Sequence, residues 1–418
     1  MKFKVDSKEL VVALAIVGKV SPTVPQGTPG YLVTVNADGS GFIYSRGDAA
    51  VVRAPLVVTD VEGEGDFLFP AKVVSVFRHI KGVLVFEVET DTIEGKTKVK
   101  YYRENDPATG VSGERLMESP KLVAKCEAEM AEAQTTHEYS PAVLRVALAA
   151  VKSYAAPKDS DVGGAEMGHF HTIQIFDDSK PEWAKGDGVM YAADSYRAAY
   201  FECATFKGKH FPLGVEHVPV VLSFLGDCEG VVKLHNAANM VFIEDTKGCV
   251  LGLRHRVLTH PRYAFYSLDK DRFVFNVGRE AMLDALRQIQ AEMADSQDLK
   301  KIRVVYEADK NSIVFQKADS VGSARSDLVT VTRAKTDPGN TDSFTAHVNI
   351  DHIIELFDNM ESNQVELRVA LIPKGNKQFA VFRTLDRVWY GANGKPVTDT
   401  TEEGAVECLV TRFMPSME

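Results

Sequence analysis

A chain of 418 residues exceeds what one ordinary core fills, so two to four domains are expected. A hydrophobic fraction of 45% and a charged fraction of 25% describe a globular chain, and no apolar run nears the roughly 18 residues that span a bilayer. The formal net charge of −10 excludes holding nucleic acid by bulk attraction but leaves room for a local basic surface.

The chain opens Met1-Lys2-Phe3-Lys4-Val5, straight into alternation and without the apolar core and cleavage site of a signal peptide; a cytoplasmic location is expected. This strand leads into a helix whose apolar residues Leu10, Ala13 and Leu14 fall on one face. Strands at 31–35 and 42–44 flank a turn containing Asp38 and Gly39, and a second helix over 69–77 precedes a strand at 83–88. The order then repeats. Glu138 and Tyr139 lead into a helix with Leu144, Ala147 and Leu148, and a second helix over 218–225 is followed by a strand at 231–234. A strand at 273–277 leads into Met282, Ala285 and Leu286, a hairpin turns at Asp309 to Asn311, and a helix over 349–357 precedes a strand at 365–369.

L-x-x-A-L alone is common, but two copies and a third with Met282 in the first place, at near-equal spacing and each after a strand, indicate an internal repeat. The expected fold is α+β: three modules, 1–120, 121–262 and 263–418, each with two helices packed on antiparallel sheets. Polar stretches at 104–120 and 263–272 separate the modules. Stretches at 156–164, 318–327 and 391–404, rich in Gly, Asp, Ser and Pro, read as surface insertions.

No catalytic or metal signature stands out. Cys126, Cys203, Cys228, Cys249 and Cys408 are scattered and odd in number, the pattern of reduced thiols. Gly95-Lys96-Thr97 lacks the earlier glycine and the following helix of a phosphate loop, and Arg46-Gly47-Asp48 reads as a turn. His169 and His171 share a strand face but have no third ligand at metal spacing. An enzyme is not expected, nor a cofactor or metal.

Three such modules, opening Met1-Lys2-Phe3, resemble the beta sliding clamp of bacterial DNA polymerase III. Residues 192–199, Ala-Ala-Asp-Ser-Tyr-Arg-Ala-Ala, are similar to that family's A-T-D-G-H-R-L-A, and Met414-Pro415 to its terminal M-P. Ser195 and Tyr196 replace the usual Gly-His, and Ser416-Met417-Glu418 replaces the usual tail, as in a divergent bacterial or phage-encoded member. The resemblance implies a non-enzymatic processivity factor. Each chain would form half of a ring, and a head-to-tail homodimer would encircle double-stranded DNA and tether polymerase and clamp loader through short peptides. A clamp-like scaffold or decoy that binds the same proteins without encircling DNA is the alternative.

DNA-facing candidates are basic residues on or beside the helices: Lys8, Lys19, Lys72, Arg78, Lys81, Arg145, Lys152, Arg279 and Arg287. Carried over by resemblance, the partner-peptide pocket would use Phe170, Ala193, Tyr196, Arg197, Pro261, Phe265, Met414 and Pro415. Tyr101, Tyr102 and Ile289 are assigned to the dimer interface.

Overall fold

A computed structural model describes residues 1–21, 30–47, 50–71, 74–91, 96–105, 113–118, 133, 135–156, 171–176, 188–194, 196–207, 211–237, 240–254, 271–293, 300–318, 325–333, 342–358, 360–374, 377–398, 400–401 and 404–417. The first module runs β1 (Lys2–Asp6), α1 (Ser7–Val17), β2 (Gly30–Val35), β3 (Ser40–Arg46), β4 (Ala50–Val57), β5 (Thr59–Glu62), β6 (Gly65–Pro70), α2 (Val74–Phe77), β7 (Val83–Asp91), β8 (Lys96–Arg103) and β9 (Gly113–Glu118). The second runs β10 (Thr135–Tyr139), α3 (Pro141–Val151), β11 (Thr172–Phe176), β12 (Gly188–Ala193), β13 (Ala198–Cys203), β14 (Phe211–Gly214), α4 (Val218–Asp227), β15 (Val232–Asn236), β16 (Met240–Glu244) and β17 (Val250–Arg254). The third runs β18 (Asp271–Gly278), α5 (Arg279–Glu292), β19 (Lys301–Glu307), β20 (Ser312–Lys317), β21 (Val329–Thr330), β22 (Thr332–Arg333), β23 (Phe344–Asn349), α6 (Ile350–Phe357), β24 (Gln364–Lys374), β25 (Lys377–Tyr390), β26 (Pro396–Val397) and β27 (Val406–Pro415).

The repeated helices form for the reason their spacing gives. Leu10, Ala13, Leu14 and Val17 of α1 are buried, as are Leu144, Ala147, Leu148 and Val151 of α3, and Met282, Ala285, Leu286 and Ile289 of α5. Caps fix two starts. The Asp6 carboxylate accepts from the Lys8 N–H at 2.8 Å, and the Asn349 side chain accepts from the Asp351 N–H at 2.9 Å. The second helices also match, with Val218, Val221, Phe224 and Leu225 of α4 buried as Ile350, Ile353, Leu356 and Phe357 of α6 are. Of the helix expected over 69–77, Phe69 and Pro70 belong instead to β6, and α2 is described over Val74–Phe77. Both predicted hairpins form, with left-handed backbone at Gly39 (φ 85°) and Asn311 (φ 46°).

Among the described residues the strands make four antiparallel sheets. β5-β1-β7-β8-β9 and β21-β20-β19-β23 each draw on one module. The other two cross modules: β10-β15-β16-β17-β4-β3-β2-β6 is joined through β17 and β4, and β14-β11-β12-β13-β27-β25-β24-β18-β22 through β13 and β27. At the first junction Gly252 faces Val51, where a Cβ would lie 2.7 Å from a Val51 methyl and 2.8 Å from the Phe242 ring; only glycine lets the strands close. Shared sheets explain why compactness divides the chain differently from the repeat. One unit comprises Met1–Pro141 with His217–Val257, the other Ala142–Glu216 with Leu258–Glu418, so residues 121–262, expected as one module, are divided between them.

Aromatic clusters fill the cores. Phe3, Phe67, Phe69, Phe77, Phe86 and Tyr101 pack together in the first unit, and Phe273, Phe275, Tyr306, Phe344 and Phe382 in the second. Each fully buried ring contributes about 1.5–3 kcal/mol. Two residues assigned to the dimer interface therefore belong elsewhere. Tyr101 is 3% exposed, edge-on to Phe69 and Phe77, and Ile289 is fully buried on the inner face of α5. Tyr102, on the opposite face of β8, is half-buried and donates to Glu87 at 2.9 Å. Among the described residues, no helix is long and apolar enough to cross a membrane.

Candidate functional site

The turn between β12 and β13 is organised by one carboxylate. Asp194 accepts from the N–H of Tyr196 (2.7 Å) and of Arg197 (2.8 Å), while its own N–H donates to the Arg197 carbonyl at 3.0 Å. The same Asp194 takes a bond from Arg197 Nε at 2.9 Å. The guanidinium also donates to the Ser153 carbonyl at 2.8 Å, pairs with Glu355 of α6, and lies 5.3 Å from the centre of the Tyr154 ring.

Tyr154 is buried, and its hydroxyl donates to the Glu355 carbonyl at 3.0 Å. Burial pushes that hydroxyl up to about 12. These bonds tie the turn to the middle of α6 and leave Tyr196 outside, 61% exposed, with its ring 6.0 Å from that of His352. Burial, followed by the nearby Arg197 charge, holds the His352 imidazole below its ordinary value. Beneath the turn lies an apolar cluster of Ala156, Val189, Tyr191, Ala193, Ala198, Tyr200 and Phe413. The apolar cluster is itself buried, so what the turn offers outward is the exposed Tyr196 ring beside His352, held by the locked Arg197–Glu355 pair. Among the described residues, no group of three or more His, Cys, Asp and Glu could hold a metal ion.

Of the expected pocket residues, Ala193, Tyr196 and Arg197 come together here. Phe170, Pro261 and Phe265 lie outside the described residues. Met414 does not share this face: strand alternation turns Phe413 toward Ala198 and Tyr200, while Met414 is 1% exposed within the core of the third module. Pro415 ends β27 opposite Val381, half-buried. Tyr154, His352, Glu355 and Phe413 were missed from sequence. Phe413 was within reach, since period two along Phe413-Met414 puts only one of them on the Ala193 face.

The basic residues divide. Lys8, Arg78, Lys81, Arg145, Lys152 and Arg287 are exposed. Lys19 is not available to a ligand as expected: its ammonium lies 2.9 Å from the Ser223 carbonyl, 3.0 Å from the Ser223 hydroxyl and 2.8 Å from Asp227, leaving the side chain 13% exposed. Arg279 is half-buried and donates to the Met360 carbonyl. Lys72 lies outside the described residues.

Solved structures match the chain from end to end. A DNA polymerase sliding clamp from Pseudomonas aeruginosa is 13% identical with a TM-score of 0.70, over 100% of this chain and 99% of its own. A DNA polymerase III beta subunit from Thermotoga maritima is 16% identical at 0.68, over 100% and 99%. The Caulobacter crescentus pol III beta is 11% identical at 0.70, over 100% of both. A further Pseudomonas aeruginosa clamp structure, 12% identical at 0.68, is bound to griselimycin. No protein-family model matches the chain, and no curated protein does. At these identities the likeness is one of fold: the chain has the α+β sliding-clamp fold along its whole length.

Proposed function

We propose that this chain, built end to end on the sliding-clamp fold, is a DNA sliding clamp: a non-catalytic, cytoplasmic ring protein that tethers polymerase to duplex DNA. Its modules are taken as 1–120, 121–262 and 263–418. Full-length fold agreement, joined to a strand-pairing rule that the chain obeys twice, carries the proposal. In the first unit the third strand after a second helix, β17, pairs with the third strand after a first helix, β4. In the second unit β27, the third long strand after α6, pairs in the same way with β13. Continued once more, the rule joins β9 of one copy to β21 of another, and among the described residues both are end strands of the two sheets that each draw on one module. Two head-to-tail contacts of that kind close a dimer; closure is what separates a ring from a filament. Leu328, half exposed beside β21, supplies an apolar side chain for the contact that sequence reasoning overlooked.

A ring resolves the conflict between holding DNA and sliding on it, because topology replaces affinity. That suits a chain of net charge −10 whose exposed Lys8, Lys81, Arg145, Lys152 and Arg287 would touch phosphates without reading bases. After loading, the protein should remain on nicked circular DNA through a gel-filtration run at moderate salt and leave once the circle is linearised. Equal loss from both forms would count against a ring and favour the scaffold alternative.

The exposed Tyr196 ring beside His352, on the turn between β12 and β13, is the proposed seat for peptides of polymerase and loader. Tyr196→Ala removes an exposed aromatic without touching the Arg197 network. Affinity for a fluorescent clamp-binding peptide is expected to fall about tenfold, the scale of an aromatic anchor, with the fold intact by circular dichroism. Unchanged affinity would place the peptide elsewhere.

A further inference from the structure

Both junctions that cross modules carry, besides the paired strands, a bond from the end of a first helix to the middle of a second one. After α1, Lys19 reaches the Ser223 carbonyl and hydroxyl and pairs with Asp227 at 2.8 Å. After α3, Tyr154 donates to the Glu355 carbonyl at 3.0 Å. Ser223 and Glu355 occupy the same place, since each lies two residues before the last buried residue of its helix, Leu225 and Phe357. In α2 that buried residue is Phe77, so the equivalent position is Ser75, which is exposed along with Arg78 and His79 just beyond it. His79 stands where Asp227 does relative to the matched residues, and Arg78 is its neighbour.

The donor side has an equivalent too. Val17, Val151 and Ile289 are the matching buried residues near the ends of α1, α3 and α5. Tyr154 lies three positions past Val151, and three past Ile289 is Glu292, exposed on the last turn of α5. Within the chain the first-helix side offers the cation, Lys19, and the second helix the anion, Asp227. At the open ends the match of Lys19, two past Ile289, is the uncharged Ala291, but the next residue, Glu292, is an acid, and the second helix leads into the bases Arg78 and His79.

We infer that Glu292 of one copy pairs with Arg78 of a second copy, with the Ser75 hydroxyl donating to the same carboxylate. The contact would flank the β9·β21 edge pairing and rests on the head-to-tail reading given above. Opposite polarity would also make this junction poorly compatible with the Lys19 type, so that copies join through their open ends and not by invading an existing junction. Arg78, expected from sequence to face DNA, then serves the dimer.

Charge reversal tests the pair with sedimentation velocity over a range of concentrations. E292R and R78E should each raise the dimer dissociation constant about tenfold or more, because like charges then meet at both contacts. An equimolar mixture of the two single variants should recover wild-type affinity, since each junction of the mixed dimer regains opposite charges; the E292R/R78E double variant should recover as well. Single variants within twofold of wild type, or a mixture no tighter than either alone, would overturn the contact while leaving the dimer standing. A wild-type chain that is monomeric at every concentration would instead overturn the head-to-tail reading, and this pair with it.

Discussion

Replacing Asp271 by alanine should destabilise the second unit by about 3–5 kcal/mol, because it strands a buried guanidinium. Asp271 opens β18 with a side chain 5% exposed, and it pairs with Arg383 of β25, which is 1% exposed, and at 3.3 Å with Arg368 of β24. The Arg383 guanidinium also lies 5.4 Å from the centre of the Phe413 ring, which belongs to the buried cluster with Ala193 and Ala198. Burial outweighs both arginines and holds the Asp271 carboxyl above its ordinary range, and burial likewise lowers Arg383. Both directions say that the surroundings penalise charge, so the pair is tolerated more than it is stabilising. The double variant Asp271→Leu with Arg383→Met should accordingly cost far less than D271A alone. A carboxyl raised in the folded state contributes most below its unfolded value, and that contribution is lost as pH rises through the folded value. Mild acidification therefore should not weaken this site. Denaturant unfolding of the three proteins, read at neutral and at mildly acidic pH, checks both statements; a double variant as unstable as D271A would show that shape, and not charge, governs here.

How far the sequence could be read depended on the range of the force involved. Helix faces such as Leu144, Ala147 and Leu148 were legible because burial repeats with the helical period, and the hairpin at Asn36 to Gly41 because Gly39 must adopt positive φ. The pairing of β17 with β4 was not, since backbone hydrogen bonds between distant strands leave no side-chain signature. Tyr101 and Ile289 were sent to an interface because an apolar residue looks the same whether it faces the core or a partner, and both proved to be core. Lys19 failed for the opposite reason: a lysine after a helix reads as solvated until Ser223 and Asp227, some 200 positions away, are brought to it. In the candidate site Tyr196 and Arg197 were visible through a short motif, whereas His352 and Glu355 come from another module and only folding brings them near.

The ring proposal makes its strongest demand at Leu328. Val329 of β21 is 4% exposed and packs in the core, whereas Leu328, just before the strand, is 50% exposed. In a monomer, Leu328→Glu puts a charge into water and should leave folding unchanged within about 0.5 kcal/mol. In the head-to-tail dimer it would bury an unpaired carboxylate at both contacts, a cost of about 3–5 kcal/mol at each. L328E should therefore sediment as a monomer at concentrations where wild type is dimeric. Its retention on circular DNA should collapse, while peptide affinity at the Tyr196 site stays within about twofold, because no residue of that site lies in the contact. The combination matters more than either result alone. Loss of retention together with loss of peptide binding would point to misfolding, and a dimer that survives L328E would show that the copies join through some edge other than β21. A folded monomer that binds peptide and cannot stay on a circle is the outcome that only a closed ring predicts.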